Sequence, residues 1–172
     1  MNAPSVFRIG AAAIVLAVTA VEARRWHPAW EWRIYRSIND APDELAPIAW
    51  LPMQAGSLSA PFVLAGWSFW RTRNLDPSVV YATSGFTTWL LAKGVKKLVG
   101  RGRPYDHDPS TNLRLATRTD GSLGYVSGHA AVASTLATII GRGRAPATVA
   151  GLQALALLVG TTRIYAGAHL PL

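Results

Sequence analysis

"LAPIAWLPMQAGSLSAPFVLAGWSFW", residues 45–70, contains no Asp, Glu, Lys, Arg or His. A helix needs roughly 17–25 mostly apolar residues to cross the hydrocarbon core of a bilayer, and this run is long enough. A helix on the surface of a soluble protein carries a charged outer face; nothing in this stretch supplies one. The same test selects four further runs. Residues 145–162 are uncharged and include "GLQALALLVG". Residues 77–92 form a shorter uncharged run, and residues 121–141 are interrupted only by His129. The run from Ile9 to Val21 extends toward Pro4 if the stem of Arg8 snorkels. The expected fold is therefore all-α: an integral membrane helical bundle with five transmembrane helices, in one domain spanning residues 1–172. A soluble all-helical core is the competing reading. For the first run alone a cleaved signal peptide competes, because Arg8, an apolar stretch and "VEA" follow that pattern.

Composition points the same way. Half of the 172 residues are hydrophobic and only 15% are charged, against about 25% in an ordinary soluble domain. With no cysteine, disulfides and thiolate metal sites are excluded. The net charge of +8 admits nucleic acid, anionic lipid or a phosphate-bearing substrate. Seven tryptophans, at positions 26, 30, 32, 50, 67, 70 and 89, fall mostly near the ends of the apolar runs, as an interfacial aromatic belt requires. In "RRWHPAWEWRIYRSI", residues 24–38, Trp26, Trp30, Ile34 and Ile38 repeat every four residues while Arg25, Arg33 and Arg36 lie off that line. This spacing predicts a short helix lying on the membrane surface; an ordinary polar connection is the alternative.

Two joints are short, "RTRNLDP" at 71–77 and "GRGRAP" at 141–146. Simple alternation puts both on one side with the N-terminus, and their arginines assign that side to the cytoplasm. The long joint, from about Lys97 to Leu123, then faces outward with His129 and the end of the last run. A loop of this length is commonly functional.

Three clusters meet on that outer side. In "KGVKKLVGRGRP", Lys93, Lys96 and Lys97 share one face of a helix end, and Arg101 and Arg103 follow in a Gly-rich turn. "VSGH", 126–129, opens a helix. "TTRIYAGAH" carries Arg163 and His169. Arginine forks and lysine charges suit phosphate oxygens. Ser127 adds a hydroxyl, and the amides of Gly128 and His129 lie where a helix dipole favours an anion. Of two imidazoles, one can attack phosphorus and the other can protonate the departing oxygen. Taken singly, each cluster has a plainer reading: a solvated or lipid-anchoring lysine face, a structural histidine, a helix cap. "DHD" at 106–108 could bind a metal, but one loop triplet is poor ligand geometry; its aspartates could instead meet the substrate or the arginines.

These residues resemble the signature of the type 2 phosphatidic-acid phosphatases, membrane relatives of the vanadium haloperoxidases. That signature runs K-x6-R-P, P-S-G-H, and S-R-x5-H-x3-D. Lys96-x6-Arg103-Pro104 matches its first part. Ser127-Gly128-His129 matches the second, with Val126 where proline is usual. Arg163-x5-His169 matches the third, with Thr162 in place of serine. The resemblance implies that His169 is the nucleophile, forming a phosphohistidine, and that His129 is the general acid. It implies that Lys96, Arg103, Ser127, Gly128 and Arg163 hold the phosphoryl oxygens. It implies no metal and no cofactor, with a lipid phosphate or diphosphate as substrate: a polyprenyl diphosphate, phosphatidic acid, phosphatidylglycerol phosphate or a prenyl-linked sugar phosphate. The bilayer is the implied partner, and the location is the plasma (inner) membrane with the active site facing outward. The signature's aspartate would fall four residues after His169, beyond Leu172, and the family usually carries a sixth helix there. The natural gene is thus expected to continue with an aspartate, and a chain lacking it is expected to be impaired.

Three rivals remain. A non-catalytic scaffold that binds anionic lipid would bind without releasing phosphate. A vanadate-dependent oxidase would use the same cradle. Nucleic acid is not an expected partner, because the basic residues gather around histidines instead of forming a stripe with aromatic platforms.

Overall fold

Proline and glycine decide where the apolar runs become helices. A computed structural model of the chain describes residues 3–25, 28–115, 118 and 121–172. Its elements are helices: α1 (Ala3–Arg25), α2 (Ala29–Asn39), α3 (Ala46–Gln54), α4 (Ala60–Thr72), α5 (Leu75–Val99), the single turn α6 (Pro104–His107), α7 (Gly128–Ile140) and α8 (Pro146–Tyr165), with a 3-10 turn at Asp43–Leu45. No strand occurs among the described residues, in keeping with the all-α expectation.

The run at 45–70 is two helices, not one. Pro61 has no N–H for a helical bond and its ring collides with the carbonyl four residues back, so the chain restarts at α4 after the break at 55–59. Gly56 lies in that break, pressed on the start of α7: a Cβ there would sit 2.3 Å from the His129 carbonyl oxygen. Pro61 in turn packs on Gly85 of α5, where a Cβ would fall 2.3 Å from the proline Cγ. The run at 121–141 is shortened likewise, since residues 121–127 are not helical and α7 begins only at Gly128. By contrast α5 outgrows its predicted 77–92 at both ends. Asn74 caps it by accepting from the Asp76 N–H at 2.9 Å, and it continues to the left-handed Gly100, with Lys96 and Lys97 in the last turn where the helix dipole favours cations.

Among the described residues one helix, α8, is long and apolar enough to cross a bilayer on its own; α7 is apolar but has only 13 residues. Many large apolar side chains nonetheless face outward, including Val63 (67% exposed), Trp70 (68%), Leu157 (74%) and Leu98 (78%).

The packing is pairwise. α4 lies along α5, α7 along α8, and α5 against α7, while α3 and α2 both lean on α8. Ala133 and Ala137 of α7 meet Ala156 and Val159 of α8 in a buried cluster, small side chains that let two helices approach closely. The short helix predicted at 24–38 exists as α2, with Trp26 outside the described residues. Its Trp30 and Ile34 face is exposed, as a helix lying on a surface needs, whereas Glu31, Tyr35 and Asn39 are buried. Asn39 donates to the carbonyls of Asn112 (2.9 Å) and Tyr165 (3.0 Å), and accepts from the Asn112 N–H (2.9 Å). Arg114 donates to the carbonyls of Asn39 (2.6 Å), Ala41 (2.9 Å) and Tyr165 (3.1 Å). The long joint is thereby tied to α2 and to the end of α8.

Candidate active site

Five separate segments deliver side chains to one cavity of about 800 Å³. The end of α5 supplies Lys96, with Lys93 and Lys97 beside it. The turn before α6 supplies Arg103, the start of α7 supplies Gly128 and His129, the last turn of α8 supplies Arg163, and the segment after α8 supplies His169. Six of the seven residues singled out from sequence therefore line the same space. Ser127 does not: it is the N-cap of α7, and its hydroxyl accepts from the Ala130 N–H at 3.4 Å. Thr162, standing where serine is usual, donates its hydroxyl to the Val159 carbonyl of its own helix at 2.8 Å.

Among the described residues, the cations of the cavity lack counter-charges. Among the described residues, no carboxylate lies within ion-pairing distance of Lys96, Arg103 or Arg163. Arg163 is buried, its Nη1 donates to the thioether sulfur of Met53 at 2.9 Å, and its Nε is buried with no partner. A thioether is a weak acceptor. The Nε of Arg103 is likewise buried and unpartnered, while its Nη1 donates to the Ala168 carbonyl at 3.2 Å. Buried donors left in this way cost free energy, which an anion with several oxygens would recover. At Gly128 a Cβ would meet only Trp89, at 3.9 Å, so the backbone at this helix start is open to the cavity.

His169 is 4% exposed. Its Nδ1 lies 2.5 Å from the Gly124 carbonyl oxygen. A carbonyl only accepts, so Nδ1 carries the proton and the Nε2 lone pair is left free. Burial holds the imidazole well below its ordinary pKa of 6.5; the charges of Lys96, Arg163 and Arg103 add to this and the Gly124 bond opposes it. A neutral ring with a bare Nε2 is what attack on phosphorus requires.

One expectation changes. Arg101, read as one of the cavity's arginines, is buried elsewhere and paired with Glu31 of α2, its Nη1 donating to Oε1 at 3.0 Å and its Nη2 to Oε2. Of the readings for the "DHD" triplet, contact of its aspartates with arginines is the one found. Asp106 accepts from the Arg103 N–H at 2.7 Å, and Asp108 pairs with Arg36. Among the described residues no three His, Asp or Glu side chains are grouped to hold a metal ion. Glu31 was not legible as a site residue, although it is the only acid between positions 24 and 38.

A helical bundle whose end gathers cations, unpaired among the described residues, and two imidazoles around one cavity has the chemistry to hold a phosphate. Comparison with known proteins carries this to a family. The PAP2 superfamily profile matches residues 75–172, more than half of the chain and all of the cavity's cations and histidines. The chain belongs to the PAP2 superfamily. Among solved structures it is similar to LpxE of Aquifex aeolicus, with 27% sequence identity, a TM-score of 0.68 and 86% of each chain covered. Among curated proteins none matches.

Proposed function

We propose that this chain is a membrane phosphatase that hydrolyses a lipid phosphate or diphosphate through a phosphohistidine. The observation that carries the reading is the convergence of Lys96, Arg103, Arg163, His129 and His169 on one cavity in which, among the described residues, the cations have no carboxylate partner. Membership of the superfamily supports it.

In this reading the phosphoryl oxygens lie among Lys96, Arg103 and Arg163 and the amides at the start of α7. The Nε2 lone pair of His169 attacks phosphorus, and the bond from phosphorus to the lipid-side oxygen breaks. His129, protonated once the phosphate anion balances the cations around it, gives its proton to that oxygen. A water then gives a proton to His129 and attacks the phosphohistidine; the P–N bond breaks and inorganic phosphate leaves. The fixed cations stabilise the charge that spreads over the phosphoryl oxygens in both steps.

The outward-facing apolar side chains, Val63, Trp70, Leu157 and Leu98 among them, support placing the bundle in a bilayer. α8 crosses alone; α3 with α4, α5 and α7 cross as parts of a packed group, with broken backbone covered by protein. The lipid tail stays in the bilayer while its headgroup enters the cavity. We place the protein in the plasma membrane with the cavity facing outward.

The test is phosphate release from a panel of lipid phosphates and diphosphates by purified protein in chelator. His169→Ala should abolish release. A strict metal requirement, or a His169→Ala protein as active as the parent, would overturn the mechanism. Lipid binding with no release from any panel member would favour the scaffold reading.

A further inference from the structure

The buried pair between Glu31 and Arg101 lies outside the cavity, yet two routes run from it to His169. The first passes through the backbone. Arg101 is held by Glu31 with both carboxylate oxygens engaged. The Arg101 carbonyl accepts from the Gly124 N–H at 2.7 Å, and the Gly124 carbonyl accepts from Nδ1 of His169 at 2.5 Å. One peptide segment therefore connects the ion pair to the proton that sets the histidine tautomer. The second route passes through the chain after α8. Glu31 Oε1 also accepts from the Leu172 N–H at 2.9 Å, while Arg103 holds the Ala168 carbonyl. His169 thus sits between two anchored points.

The surroundings leave little slack. Glu31 is fully buried, and the Arg101 side chain is 2% exposed. Gly124 cannot shift toward a side chain of its own, because a Cβ there would fall 2.5 Å from the Gly102 carbonyl oxygen. A buried ion pair is weak evidence for stability, since well-packed apolar residues of similar volume often do as well or better. Its expense is accounted for if it fixes geometry instead.

We propose that Glu31 is a positioning residue for the reaction: through Arg101 and Gly124 it fixes the Nδ1–H tautomer and aim of His169, so that an acid on the surface-lying α2 controls the nucleophile. The proposal rests on the reading of His169 as the nucleophile. It makes α2, which carries no group that touches the phosphate, a necessary part of the active site.

The experiment compares three variants of the full chain in one detergent: Glu31→Gln, Glu31→Asp, and the apolar pair Glu31→Leu with Arg101→Met. Each is read for kcat, KM and thermal midpoint. A misplacement of about 1 Å near the chemistry costs on the order of 100-fold in rate. Glu31→Gln should therefore lose roughly that much kcat, with KM within threefold. Glu31→Asp should recover part of the loss. The apolar pair should regain the thermal midpoint but not kcat. Parent-like kcat in the apolar pair or in Glu31→Gln would overturn the proposal, as would kcat and thermal midpoint falling and recovering together. A readout free of turnover separates failure of this idea from failure of the functional reading. In protein labelled with ¹⁵N-histidine, His169 should show a strongly deshielded, hydrogen-bonded Nδ1–H that is lost in Glu31→Gln. Its persistence in Glu31→Gln would refute the proposal even if the parent chain released no phosphate.

Discussion

Replacing Gly56 by alanine adds one methyl group at the place where the break between α3 and α4 crosses the start of α7. The new Cβ would lie 2.3 Å from the His129 carbonyl oxygen, 2.8 Å from its carbonyl carbon and 2.7 Å from Val159 Cγ1, where ordinary contacts begin near 3.4 Å. Two of these three neighbours are backbone atoms, which cannot swing aside as the end of a flexible side chain can. The first turn of α7 must therefore move by about 1 Å relative to the break, and His129 moves with it. Overpacking of this size costs about 1–3 kcal/mol of stability. The rate cost follows from geometry: a shift of that order at a proton-transferring group lowers kcat on the order of 100-fold. The assay is phosphate release by purified protein, with thermal unfolding followed in parallel. Gly66→Ala is the control. Gly66 is in the middle of α4, a Cβ there meets nothing within 4 Å, and alanine is the better helix former by up to about 1 kcal/mol. Activity should be unchanged in Gly66→Ala and depressed in Gly56→Ala. Parent-like kcat in Gly56→Ala would refute the claim that His129 is placed by this crossing.

The His169 pKa is lowered, chiefly by burial, so its imidazole stays neutral as pH falls through the ordinary histidine range. The acid limb of kcat/KM that reports its protonation should lie well below pH 6.5, and Lys96→Met, which removes one of the neighbouring charges that lower it, should move that limb upward; a limb left in place would contradict the electrostatic account. The sign for stability is the same, because below about pH 6.5 the unfolded chain binds a proton that the folded chain refuses: the contribution is complete above that pH and is lost as pH falls toward the lowered pKa. Asn39→Ala should cost about 2–4 kcal/mol, because the Asn112 N–H and the Tyr165 carbonyl lose their buried partner; thermal unfolding reads it, and a loss below about 0.5 kcal/mol, typical of surface changes, would show that the joint is held by other contacts.

What could be read from sequence, and what could not, divides by range. The spacing Lys96-x6-Arg103-Pro104 and the pair Arg163-x5-His169 are short enough for helix ends and single turns to define, and the cavity gathers those residues. Charge-free runs were sufficient to identify helical segments but not their bounds, because Pro61 and Gly56 interrupt 45–70 within an unbroken apolar composition. The burial of Glu31 was hidden for a different reason. Its partner Arg101 is 70 positions away, and a lone acid between Trp30 and Trp32 looks the same whether it points to water or to an arginine. Periodicity assigned Trp30 and Ile34 to one face of α2 correctly, and that face is the exposed one. The polar stripe Glu31, Tyr35 and Asn39 is the buried one, reversing the rule that serves for soluble helices.

The placement of the acids explains why the cavity is cationic at all. The chain has nine acidic residues against seventeen basic ones. Glu31 is committed to Arg101, Asp40 and Asp108 to Arg36, and Asp43 to Arg114, all in the layer that joins α2 to the long joint. Asp76 lies in the first turn of α5 and Asp106 caps the backbone of Arg103. Among the described residues, the arginines that shape the scaffold take these carboxylates, and those that face the cavity are left without one. A carboxylate inside the cavity would satisfy Arg103 or Arg163 and compete with a phosphate for the same donors. Keeping the acids one layer back preserves the unmet demand for an anion, and in the case of Glu31 it turns the same economy of charge into a hold on the backbone that aims His169.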